Sequence, residues 1–406
     1  MDMHIYAVIQ QSIKGRKPGL KYLSLLLLLV IWQSGGAQVV YGTNSYVEYH
    51  QGTLPVVIAV PHGGAVSPAA LPNRTCNDAV TVTDLNTIEL AQQIDAAFFA
   101  QTGCHPHLIY CNLRRTKLDC NRNLADGACG NPAAALAWTE YHNFIEQAQA
   151  SAQQEYAGNI LFIDLHGHGH PIQRLELGYL LYDDELRLSD QELNTPPLIA
   201  VSAIQNLVAD NANNYTHAAL LRGPQALGTL LGEASFPAVP SAQIPAPAAA
   251  DSYFSGGYTT ARHTSYTTGN TVNGLQIECN LTGVRDNATN RQAFGEALST
   301  VVLDFLRIHR EVAVENCQPV AIEDLQNSPP GSIFPTLWTR QDAFVLLNNL
   351  PTTGGYYEVY NNLGQRIIGG DFVGDRIALP GHFTPGFYSL HLRIGQQGWT
   401  FRVVVN

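Results

Sequence analysis

Asn159-Ile160-Leu161-Phe162-Ile163-Asp164-Leu165-His166-Gly167-His168-Gly169-His170 carries an apolar run of strand composition straight into three histidines at alternate positions. A short apolar run of this kind reads as a buried strand. In an open α/β sheet, ligands gather at the carboxyl ends of such strands. Imidazole is the commonest metal ligand among side chains, and glycines between the histidines let the backbone approach an ion or a substrate closely. Alternate histidines at a strand end are also compatible with a polar surface, so the neighbouring segments have to decide.

Outward from this stretch, strands and helices alternate. Residues 54–60 read as a buried strand rich in β-branched side chains. Residues 84–99 read as a helix, with Leu85, Ile88, Leu90, Ala91, Ile94 and Phe98 at helical spacing and Gly103 as its stop. A strand at 107–113 follows, then a helix opened by Pro132 and ended before Gly158. Residues 198–209 and 291–309 have helical patterns, and 274–281 reads as a strand. This order predicts an α/β fold: a mixed sheet with helices on both faces. The pattern breaks in a linker at 316–335, marked by Asn327-Ser328-Pro329-Pro330-Gly331-Ser332. Short β-rich runs between Gly, Pro and Asn turns fill 336–406 and predict a small C-terminal Ig-like β-sandwich. Nothing in that tail resembles a catalytic set.

Composition narrows the function. A chain of 406 residues exceeds the usual size of one core, and 45% hydrophobic with 14% charged residues is globular composition. The net charge of −11 comes with no basic stripe, which argues against nucleic acid as a partner. At the N-terminus, Lys14, Arg16, Lys17 and Lys21 precede an apolar run at 22–32 and the small residues Ser34-Gly35-Gly36-Ala37. The run is short for a bilayer span, so 1–37 reads as a secretory signal cleaved before Gln38, with no transmembrane segment after it. A secreted or cell-surface protein is expected. Export permits disulfides, but seven cysteines with no C-x-x-C pair leave the pairing open.

Candidate site residues lie near the ends of these strands. His62, in Pro61-His62-Gly63-Gly64, follows the first strand as His166 follows the later one. Two such histidines can converge on one ion, and a carboxylate would complete a three-ligand site with one position open. Asp84 is the nearest carboxylate, although an Asp after Thr83 is equally an ordinary helix cap. Glu278 stands inside the apolar run Leu275-Gln276-Ile277-Glu278-Cys279 and therefore needs a partner, either a bound water or a salt bridge. The basic stretch at 112–123 contains Asp119, Asn121 and Arg122. Arg122 could grip a carboxylate, with Asp119 and Asn121 holding it in place. Arg262, a second guanidinium candidate, follows the paired glycines of Gly256-Gly257-Tyr258-Thr259-Thr260-Ala261-Arg262-His263, which suggest a mobile or ligand-hugging loop.

Taken in order, Pro61-His62-Gly63-Gly64, Asp84, Asp119-Cys120-Asn121-Arg122, Asp164-Leu165-His166-Gly167, the loop from Gly257-Tyr258 to Arg262-His263 and Gly274-Leu275-Gln276-Ile277-Glu278 resemble the N-formylglutamate amidohydrolase family of zinc carboxypeptidase-like hydrolases. The resemblance places a phosphorylase/hydrolase-like catalytic domain at 38–315. It implies one Zn2+ bound by His62, Asp84 and His166, Glu278 as general base, and Arg122, Asn121 and Arg262 at the substrate. Asp119, His168, His170 and His263 are supporting residues of open role. Position 65 is Ala where related carboxypeptidases carry Glu, and Ala261 is an extra residue before Arg262. The implied reaction is zinc-assisted hydrolysis of an N-acyl (formyl) amino acid or small peptide. A zinc carboxypeptidase, a peptidoglycan amidase and a non-catalytic surface binder are the alternatives.

The tail resembles the C-terminal sorting domains of type IX secretion. The features are Val359-Tyr360-Asn361-Asn362-Leu363-Gly364-Gln365-Arg366-Ile367, then Pro385-Gly386-Phe387-Tyr388-Ser389-Leu390, closing on Thr400-Phe401-Arg402-Val403-Val404-Val405. That resemblance implies a secretion machinery as the partner of residues 336–406.

Overall fold

The apolar run before the histidines lies near the middle of a sheet. In chain order the elements are β1 (Val39–Tyr41), β2 (Val47–His50), β3 (Val56–Val60), α1 (Thr87–Thr102), β4 (His107–Cys111), α2 (Leu124–Ala128), α3 (Pro132–Glu155), β5 (Leu161–His168) and β6 (Leu175–Gly178). Six short helices follow: α4 (Asp183–Leu186), α5 (Asp190–Leu193), α6 (Pro196–Ala200), α7 (Gln205–Ala209), α8 (His217–Arg222) and α9 (Leu227–Glu233). Then come β7 (Ala238–Val239), α10 (Tyr258–His263), β8 (Asn273–Asn280) and α11 (Ala288–Arg310). This computed structural model describes residues 39–76 and 79–314, together with 332–334, 337–338, 344–348, 350, 354–361, 365–378, 383, 386–395 and 397–405. The leader expected at 1–37 and the linker residues 316–331 lie outside the described residues.

The eight strands form one mixed sheet in the order β1-β2-β4-β3-β5-β8-β6-β7. Strands β4, β3, β5 and β8 run parallel, while β2 and β6 join them antiparallel on either side. Side chains alternate between the faces of a strand, and the alternation here is chemical. Val56, Ile58 and Val60 of β3, Leu161, Ile163 and Leu165 of β5, and Leu275, Ile277 and Cys279 of β8 share one apolar cluster with α1 and α11. Val57 and Ala59 of β3, Ile109 and Cys111 of β4, and Phe162 of β5 pack on α3 in a second cluster. Helices therefore cover both faces. On this second face the strands turn polar toward β8: Asp164, His166 and His168 on β5, Gln276, Glu278 and Asn280 on β8, and Glu176 on β6, all buried. That polar patch in a buried sheet is where a ligand site is to be sought.

Three local expectations change. The pattern at 198–209 resolves into α6 and α7. Between them the Ala203 amide donates to the Tyr179 carbonyl, and the Ala203 carbonyl receives the Ser265 hydroxyl, so tertiary bonds replace helical ones. Helix α1 begins at Thr87 rather than Asp84, after Asn86 in a left-handed conformation (φ 65°). Residues 332–334, assigned to the linker, pair with the strand at 344–348.

The C-terminal stretch holds β9 (Ser332–Phe334), β10 (Leu337–Trp338), β11 (Phe344–Asn348), β12 (Gly355–Asn361), β13 (Arg366–Phe372), β14 (Arg376–Ala378), β15 (Gly386–Ile394) and β16 (Gln397–Val405). They make a five-stranded sheet, β10-β16-β15-β12-β13, and a three-stranded one, β14-β11-β9. Pairing is antiparallel except for β10 with β16. Val345, Leu347 and Ile377 from the smaller sheet share one buried cluster with Val359, Leu390 and Val403 from the larger. Among the described residues, no helix is long and apolar enough to cross a membrane.

Candidate functional site

His62 stands two residues beyond the end of β3 and His166 on the neighbouring β5, so their rings meet edge to face with centroids 4.9 Å apart. Asp84 reaches them from the loop before α1. Its amide donates to the His62 carbonyl, and its Oδ2 accepts from the Gly167 amide at 3.2 Å. The carboxylate does not cap the helix: Asp84 Oδ2 lies 3.2 Å from His166 Nδ1 and 3.6 Å from His62 Nδ1. These three residues form a group whose ligand atoms lie within 4.8 Å of one another and which can hold a metal ion.

The far side of each imidazole is fixed. His62 Nε2 donates to Asp119 Oδ1 at 2.7 Å and His166 Nε2 to Asp164 Oδ1 at 3.0 Å, and both carboxylates are fully buried. A carboxylate on Nε2 sets the tautomer and leaves the Nδ1 lone pair as the coordinating atom. Both Nδ1 atoms thus face Asp84 Oδ2, and His62 Nδ1 has no hydrogen-bond partner. Converging lone pairs in a buried site repel unless a cation lies between them, and two imidazoles with one carboxylate are the donor set of a catalytic zinc centre. Burial alone would discharge Asp84 and Asp119, but hydrogen bonds and charge from the histidines, with Arg115 beside Asp119, hold both carboxyls well below their usual range. Burial likewise disfavours charge on His166, yet Asp164, Asp84 and Glu278 outweigh it and favour the protonated ring, so an ion bound at Nδ1 would replace a proton there.

Glu278 lies opposite His166 in register across β5 and β8, with Oε1 3.9 Å from His166 Nδ1. Gln276 Nε2 donates to Oε1 at 2.9 Å, while Oε2 is buried without a hydrogen-bond partner. Burial, with Asp84, Glu176 and Asp164 adding to it, pushes the Glu278 carboxyl up to about 8 despite the opposing charge of His166.

Other expected residues are placed differently. Asp119 turns to His62 and to Arg115 Nε at 3.0 Å rather than to Arg122. Asn121 sits at the site: its Oδ1 accepts from the Thr259 amide at 2.8 Å and its Nδ2 is 3.3 Å from His166 Nε2. Gly257 lies against that amide, where any Cβ would overlap it. Arg122 is half-buried, has no ion pair among the described residues, and contacts the Asn121 carbonyl at 3.4 Å. Arg262 pairs with Glu146 at 3.0 Å and lies over the Trp138 ring. His263 is buried against His142, Nε2 to Nδ1 at 2.7 Å, outside the metal group. His168 and His170 belong to a separate group with Glu176.

The sequence reading missed Asp164 as the partner of His166, and Thr260, whose hydroxyl donates to Asp164 Oδ2 at 2.9 Å. It also missed Arg115, whose Nη1 lies 3.9 Å from Asp84 Oδ1. For Asp164 the signal was present: it shares the alternation of His166. Arg285 was likewise unmarked. Its buried guanidinium donates to the carbonyls of Cys279 (3.0 Å), His168 (2.9 Å) and Leu85, tying together the segments that carry Glu278, His166 and Asp84. No protein-family model matches the chain, and no curated protein matches its sequence.

Proposed function

We propose that this chain is an exported, zinc-dependent amidohydrolase that cleaves the amide bond of an N-acyl amino acid, such as an N-formyl amino acid, or of a small peptide. The observation that carries this reading is the convergence of His62 Nδ1, His166 Nδ1 and Asp84 Oδ2, each imidazole backed by its own buried carboxylate, with the unpartnered Oε2 of Glu278 beside them. His62, Asp84 and His166 would hold the ion. When bound, Zn2+ supplies Lewis acidity to the amide carbonyl and acidity to a water molecule.

Glu278 takes a proton from the attacking water as the oxygen bonds to the carbonyl carbon, and gives it to the nitrogen as the C–N bond breaks. Burial favours the protonated form of this carboxyl and a cation beside it would favour the carboxylate, so the group is suited to carry a proton in both directions. Gln276 holds Oε1, leaving Oε2 for the transfer. Arg115, close to Asp84, supplies positive charge for an oxyanion, and Arg122 offers its guanidinium to a substrate carboxylate. The ordered motifs of the N-formylglutamate amidohydrolase family support the same reaction. The basic-apolar leader and the sorting-domain features of residues 336–406 support export to the cell surface.

Zinc content and hydrolysis of N-formyl amino acids against short peptides test the reading. Wild-type protein is expected to bind zinc and turn over, whereas Glu278→Gln keeps the metal and loses on the order of 10²–10⁴ in kcat. No zinc uptake, or undiminished hydrolysis in Glu278→Gln, sinks it. Turnover of peptides alone would move the substrate to a carboxypeptidase or peptidoglycan amidase type.

A further inference from the structure

Beyond this centre lies a second set of ligating side chains that the mechanism does not use. His168, His170 and Glu176 present one ligand atom each within 4.8 Å of one another. We propose that they form a second site for a divalent transition metal of the zinc class, next to the first on the same face of the sheet.

The side chains of this second site already bond one another and the main chain, and an ion would take the place of those bonds. His168 Nε2 donates to the Arg174 carbonyl at 2.8 Å, which leaves its lone pair on Nδ1. That Nδ1 accepts from the His170 main-chain amide at 3.1 Å, a bond that an ion would displace. Glu176 is fully buried. Its Oε2 accepts from the Phe254 amide at 2.8 Å, and its Oε1 lies 2.8 Å from His170 Nδ1. The His170 ring stacks on Phe254 at 4.6 Å and remains 21% exposed, so an ion can enter from solvent on that side. A buried carboxylate needs compensating charge, and two imidazoles with one carboxylate select zinc-like ions over calcium or magnesium.

The site belongs to the same surface as the proposed chemistry. His166 and His168 project from the same face of β5, about 7 Å apart along the strand. Glu176 is the register partner of Glu278 across β6 and β8. A cation there lies on the β6 side of Glu278, with His62 on the β3 side.

The test is metal stoichiometry of the untagged full chain, stripped with chelator and titrated with Zn2+ alone. It is followed by calorimetry and elemental analysis, with circular dichroism to check folding. Two equivalents are expected for wild type, one for His170→Ala, one for the isosteric Glu176→Gln, one for Asp84→Asn, and none for Asp84→Asn combined with His170→Ala. One equivalent in wild type that is lost in His170→Ala but kept in Asp84→Asn would support the second site and overturn the first. If His170→Ala and Glu176→Gln both bind as many equivalents as wild type, the second site does not exist, whatever becomes of the first.

Discussion

His62 and His166 each commit one ring nitrogen to a buried carboxylate and present the other to Asp84. Partners of this kind orient the ring and raise its basicity, and losing one typically weakens metal binding about 10–100-fold. Asp164→Asn keeps the shape and one acceptor oxygen but removes the charge behind His166. Zinc affinity, read by competition with a chromogenic chelator, is expected to fall about 10–100-fold while the fold is retained. Asp119→Asn should do the same through His62, with an added cost because Arg115 and Arg74 would face a neutral amide. Unchanged zinc affinity in both variants would show that the two imidazoles are not the ligands.

At the level of elements, the site depends on how the ends of β5 and β8 meet the loop before α1, and Arg285 is the clasp. Its guanidinium lies directly against Gly167, where any Cβ would overlap it. Gly167→Ala therefore displaces a buried cation from three carbonyl acceptors. Stability is expected to fall by about 2–4 kcal/mol, measured by urea unfolding, and zinc affinity should weaken as well. Gly169→Ala has open space and serves as the control; equal losses in the two variants would refute the clasp. Much at this scale was legible beforehand. The parallel strands, α1, α3 and α11 announce themselves by local periodicity, and His62, His166 and Glu278 by standing in or after apolar runs. The pairings were not legible. Asp119 meets His62 only because β4 lies beside β3, and Glu176 reaches the site only because the four-residue strand β6 pairs with β8. The partners of Arg262 were likewise not legible: Trp138 and Glu146 meet it from α3, a segment remote in sequence.

Among the described residues, the buried histidines outside the two ligating groups, His107, His142, His217, His263 and His309, bond to neighbouring protein groups. That distribution sets the response to acid. Burial lowers the pKa of His107 to about 4, and burial with the nearby Arg262 charge lowers that of His142 to about 3, against 6.5 for an exposed imidazole. His263, His217 and His309 shift the same way, each chiefly through burial. Between these folded values and 6.5 the unfolded chain binds more protons than the native one. Stability that is complete above pH 6.5 is therefore lost as pH falls through that window. For His107 the shift corresponds to about 3 kcal/mol in all, as an order of magnitude. His107 accepts the Tyr49 hydroxyl on Nδ1 at 2.8 Å, and its Nε2 is buried without a partner. Glutamine at this position can accept the same hydroxyl without titrating. Urea unfolding of wild type and His107→Gln at pH 7, 6, 5 and 4.5, both metal-free so that the metal group contributes equally, isolates the effect. The variant starts less stable at pH 7, and its deficit is expected to shrink by about 1 kcal/mol per unit as pH falls below 6. Parallel curves would mean that His107 is not held neutral in the native state, and that acid sensitivity arises at the carboxylates of the metal group instead.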